Sequence, residues 1–158
     1  MSVATVLQAL ERILLTLWAG GLWTTGFLFA PVLFRSFERM LAGEIAGHLF
    51  MAASLLGIVC GVLLIGLALV RGGWRVFREW RVAMMVLMLT VTLIGEFGLA
   101  ARMQEIKDLA MHHPDTAALW KEFGRLHGLA SALFLLNSIL GLTLVIAGVR
   151  PRAVQAGN

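Results

Sequence analysis

The stretch that decides the fold is Ile45–Val70, "IAGHLFMAASLLGIVCGVLLIGLALV": 26 residues without a formal charge. A helix rises about 1.5 Å per residue, so about 20 apolar residues cross a hydrocarbon core of roughly 30 Å. A run of this length is too long for a buried strand. In lipid its backbone groups must bond within the segment, which makes it a helix. Three further runs share the pattern: Ile13–Phe34, Val82–Ala101 and Leu126–Val149. The short alternating segments of a transmembrane barrel are absent.

Composition follows from these runs. The 158 residues are 59% hydrophobic and 14% charged, against about a quarter charged in a soluble domain. The expectation is an all-α, four-helix transmembrane bundle forming one domain over 1–158, with helices at about 10–34, 45–70, 80–110 and 115–149. "ARMQEIKDLA" continues the third helix past its apolar run, and "MHHPDTAALWKEF" restarts a helix behind Pro114. The third and fourth helices are therefore expected to extend beyond the membrane as a hairpin. The first run is too long for the apolar region of a cleavable signal peptide. Cys60, the single cysteine, falls inside the second run and reads as a buried thiol.

Charge orients the bundle. "RGGWRVFREWR" holds four arginines in eleven residues, Arg71, Arg75, Arg78 and Arg81. Positive residues collect on the cytoplasmic side, so this loop and both termini are expected there, in a bacterial inner membrane. Trp74 and Trp80 flank the loop as interfacial anchors do. The net charge of +4 reports topology, and no basic stripe with interleaved aromatics points to nucleic acid. The lipid bilayer is the first partner. Gly57 and Gly61 make a G-x-x-x-G spacing that serves either tight packing within the chain or a homodimer seam; Gly124 and Gly128 repeat it. Pro31 is expected to bend the first helix. The methionines of "MMVLM", Met84–Met88, read as packing filler.

The chemistry-bearing residues gather at the other end. His48, His112, His113 and His127 all fall there. Glu96 lies within the third run, where an intramembrane carboxylate marks a functional site by default. Its structural alternatives are a bond to Ser131, Thr24 or Thr25, or an ion pair with Arg102. Thr92 is one turn deeper on its face. His127, Ser131 and Ser138 lie within about 40° of one another around the fourth helix, a polar strip expected to turn into the bundle. His127 is accordingly expected beside Glu96 and the start of the second helix. Imidazole binds copper, zinc, iron and nickel, and thioether selects soft ions such as Cu(I). His48, Met51, Glu96, Met103 and His127 would together form a soft-metal site, with copper the leading ion.

Two segments carry a resemblance. "GFLFAPVLFRSFERMLAGEIAGHLF" (26–50) and "FGRLHGLASAL" (123–133) resemble the small four-helix membrane family that includes transmembrane protein 205. The shared features are Leu33–Phe34–Arg35, Arg39, Leu49–Phe50, and Arg125, His127, Gly128 and Ser131. The chain departs from the family at Met51, Glu96 and Asn137. It is more distantly similar to copper resistance protein D and to HemJ-type protoporphyrinogen oxidases. The first likeness implies copper passage. The second implies haem, with His127 or His48 as axial ligand and Arg125 beside a propionate. A non-catalytic accessory subunit of a larger membrane complex is the third reading. Its support is the absence of any compact catalytic motif.

Overall fold

The structure is a computed structural model and describes residues 2–112 and 116–149. Four helices are long and apolar enough to cross a membrane. They are α1 (Val3–Ser36), α2 (Arg39–Gly72), α3 (Trp80–His112) and α4 (Ala117–Val149). Among the described residues there is no strand. Leu17, Phe27, Val59, Leu63, Leu135 and Ile139 are exposed along these helices. Water would not tolerate so continuous an apolar surface, and lipid solvates it. The chain is an integral membrane protein.

The helices follow one another around a ring. α1 packs on α2 and α4, α2 on α3, and α3 on α4, which leaves α1 opposite α3 and α2 opposite α4. Trp18 is the anchor, 1% exposed among Leu15, Leu22, Cys60, Leu64, Met88 and Leu144. Lipid tails are as apolar as leucine, so association depends on close packing. The indole lies in the hollow left by Gly57 and Gly61: a Cβ on Gly57 would stand 2.5 Å from Trp18 Nε1, and one on Gly61 2.9 Å from its Cη2. The Gly57–Gly61 spacing thus serves tight packing within the chain. Gly124 and Gly128, by contrast, are exposed, and a Cβ on either would meet no neighbour within 4 Å.

At the arginine-rich end Glu11 of α1 accepts Arg71 from the end of α2, at 2.5 Å, and Arg81 from the start of α3, at 3.0 Å. Glu11 is 19% exposed, so this clasp is shielded more than a surface pair. It gathers three helix ends on one carboxylate. Between α2 and α3, Gly73 takes φ 57°, the left-handed region open to glycine, and a 3-10 helix follows over Gly73–Arg78. Val76 tucks beneath it, while Trp74 and Trp80 stay exposed.

Two helices break register. α1 is π-helical over Thr24–Phe29, and α3 over Ile94–Ala100. In a π segment the backbone bonds shift from i→i+4 to i→i+5, and such segments are frequent at functional sites. Pro31 follows directly on the first. Its missing N–H removes a rung of the α ladder, and its ring crowds the carbonyl four residues earlier. The strain anticipated at Pro31 is therefore met by a change of helix type.

A candidate cation site where the bundle divides

The π segments lie at one level. On α4, a Cβ at Gly141 would stand 3.5 Å from Ala19 Cβ and 3.3 Å from Met88 Cε, which sets Ala19 and Met88 at the same depth. Seven residues on from each are Gly26 and Gly95, and seven residues back from Gly141 is Phe134. Phe134 does reach Gly26: a Cβ there would lie 2.1 Å from its Cζ. Its ring also meets Phe27 of α1 at 5.8 Å and Phe50 of α2 at 5.6 Å. Glu96, one residue beyond Gly95, stands half-buried on the π segment of α3, which packs on α4.

Past this layer the bundle divides. Ala30–Ser36 packs on α2, and Ala101–His112 packs on α4, and among the described residues neither segment packs extensively on the other pair. Phe134 ties them just before they part. Below the layer the packing is polar and closed. Asn137 Nδ2 donates to Thr92 Oγ1 at 2.9 Å, and Thr92 Oγ1 donates to Met88 O at 2.9 Å. Asn137 and Ser138 are each 3% exposed, and Trp23 Nε1 donates to Ser138 O at 3.3 Å. Asn137 Oδ1 and Ser138 Oγ are buried without a hydrogen-bond partner.

His127 stands apart from this layer. His127 is exposed, its ring stacked on Phe123 of its own helix at 6.1 Å and 6°. It is seven residues beyond Phe134, about 10 Å further out at roughly 1.5 Å per residue. The expectation that His127 turns inward beside Glu96 is corrected here. His127, Ser131 and Ser138 do share a face, but only Ser138 lies where α1 and α3 both meet α4. Ser131 instead donates to His127 O at 2.8 Å.

The other predicted residues are similarly dispersed. His48 is exposed on α2, diagonally across the ring from α4, with Nδ1 donating to Glu44 O at 3.0 Å. Met51 is exposed, Met103 is half-buried, and Arg125 is exposed. His112 donates to Asp108 O, and His113 lies outside the described residues. Arg102 bridges Glu105 at 2.7 Å and Glu122 on α4 at 3.4 Å rather than Glu96. Among the described residues, no group of three or more His, Cys, Asp or Glu side chains could hold a metal ion.

The Thr92–Asn137 pair had a visible signal: an amide in an otherwise apolar run needs a partner on another helix. The Glu11 clasp had none, because it joins residues sixty positions apart.

Residues 13–112 match the profile of a family described as a domain of unknown function (DUF4149). The match spans both π segments, His48, Met51, Glu96 and Met103, and stops short of Arg125 and His127. No curated protein and no solved structure matches the chain.

Proposed function

The chain belongs to the DUF4149 family, and we propose that its members' shared region serves here to bind or pass a cation in the outer half of the bundle, with Glu96 as the charged ligand. One observation carries this: a half-buried carboxylate sits on a π segment, level with a second π segment on the opposite helix, where two hairpins part. A charge within a membrane core costs at least about 2.5 kcal/mol, and irregular backbone at such depth lines protein cavities rather than lipid. A cation at Glu96 offsets the first and gives the second a purpose.

The soft-metal and haem readings need more than this arrangement offers. A shared copper site requires His48 and His127 to converge, yet both are exposed, on opposite members of the ring. Axial ligation of haem inside the bundle meets the same obstacle, and Trp18, Leu64, Met88 and Leu144 fill the interior below. Copper therefore enters as one arm of the test.

The test is thermal unfolding of the intact protein in detergent, titrated separately with sodium, potassium, magnesium and silver, the last standing in for Cu(I). A ligand at about 100 times its Kd stabilises the folded state by about 2.7 kcal/mol. That corresponds to roughly 5–10 °C in a chain of this size. At least one cation should raise the melting temperature of the wild type, and Glu96→Gln should abolish that rise. A rise that survives Glu96→Gln, or none with any cation, overturns the reading.

The dividing end is assigned to the extracytoplasmic side, and both termini to the cytoplasm of a bacterial inner membrane, because Arg71, Arg75, Arg78 and Arg81 crowd the opposite end. Reporter fusions after Gly72 and after His113 should give opposite signals, cytoplasmic for the first. An extracytoplasmic signal after Gly72 inverts the assignment.

A further inference from the structure

We infer that the ion taken at this layer is a hard monovalent cation, bound through oxygen alone, with Asn137 and Ser138 beneath it and Thr92 fixing the Asn137 amide. This rests on the reading of Glu96 given above. The Thr92 hydroxyl proton is committed to Met88 O, so the hydroxyl can only accept from Asn137, and the amide must turn Nδ2 toward it. That leaves Asn137 Oδ1 as a bare acceptor on a side chain 3% exposed. Ser138 Oγ, on the next residue and equally buried, also lacks a partner. A buried acceptor left without a partner has lost its water and gained nothing in return. Asn137 bonds Thr92, one turn below Glu96, so both bare acceptors lie near that depth, where a cation would satisfy them.

The donor chemistry selects the ion. Amide, hydroxyl and carboxylate oxygens suit hard cations, whereas imidazole and thioether suit soft ones. His127 is exposed further out, His48 and Met51 lie near the depth of Phe50 but are exposed on the surface of α2, and the Met88 methyl is packed toward Gly141. Glu96 is the one formal charge that the described residues bring to this level. It balances a monovalent ion, whereas a divalent ion would retain a net charge within the membrane core. Depth agrees. Thr92 is eleven residues from Arg81, about 16 Å at roughly 1.5 Å per residue, near the middle of a 30 Å core where transporters hold coupling ions on interrupted helices.

The experiment measures sodium affinity of the intact protein in nanodiscs by isothermal titration, with potassium, magnesium and silver as competitors, for wild type, Glu96→Gln, Asn137→Leu and Thr92→Val. Thr92→Val keeps the shape of the side chain and serves if Asn137→Leu does not fold. Sodium or potassium should bind the wild type, with affinity at least about tenfold weaker in Asn137→Leu and Thr92→Val and no binding in Glu96→Gln. If silver or magnesium binds through Glu96 while sodium and potassium do not, the inference fails and the Glu96 reading stands. The same division follows if Asn137→Leu and Thr92→Val both keep wild-type sodium affinity while Glu96→Gln loses it. If no cation binds the wild type, both fail.

Discussion

Trp18→Ala should lower the stability of the bundle by about 3–5 kcal/mol, the range for deleting a large aromatic from a packed interior. Trp18 is 1% exposed, and its ring fills the hollow that Gly57 and Gly61 leave in α2. The loss acts through packing. Lipid supplies no hydrophobic drive between helices, so the dispersion contacts of the indole are what hold α1 to α2 along this seam. For a chain of this length the melting temperature should fall by roughly 6–20 °C. Thermal unfolding in detergent, followed by loss of monodisperse elution, measures it. A mutant that melts with the wild type would show that the α1–α2 seam is not the anchor of the fold.

Gly26→Leu is the second large effect. A Cβ at Gly26 would stand 2.1 Å from Phe134 Cζ, and that ring is held between Phe27 and Phe50. Overpacking typically costs about 1–3 kcal/mol, and leucine adds atoms beyond Cβ. Alanine is a blunter probe, since exchanging glycine for alanine within a helix returns up to about 1 kcal/mol. The diagnostic result is compensation. Phe134→Ala combined with Gly26→Leu should recover most of the loss, because it vacates the space that leucine needs. Additive losses in the double mutant would mean that the two residues do not share that space.

Both effects depend on features that were only half legible in the sequence. Uninterrupted apolar runs dictate four spanning helices, and those helices are present. The runs mark only the part that meets lipid, so α1 begins at Val3 and α2 at Arg39, ahead of the apolar runs, through polar turns that hydropathy does not mark. The spacing of Gly57 and Gly61 announces a close approach without naming the partner. A second copy and Trp18 fit the pattern equally, and it is Trp18 that lies against both glycines. The π segments left no local signature apart from Pro31, and the neighbour that reaches Gly26 within the first, Phe134, is remote in sequence.

The candidate site divides in the same way. Glu96 was readable from the cost of a carboxylate in lipid, and Thr92 from its place one turn below. His127 was misread for a geometric reason. Helical periodicity states which residues share a face, but not whether another helix is present at that height to receive it. At the level of Ser138 both neighbours flank α4; at His127 the outer turns of α1 have already left for α2.

The central claim is that Glu96 holds a cation where the bundle divides. Equilibrium binding of radioactive sodium-22 to the purified intact protein in nanodiscs tests it most directly. The account predicts saturable binding of about one ion per chain, set by the single carboxylate at this level, and none in Glu96→Gln. Undiminished sodium-22 binding by Glu96→Gln would contradict it, as would a folded wild type that binds none of sodium, potassium, magnesium and silver.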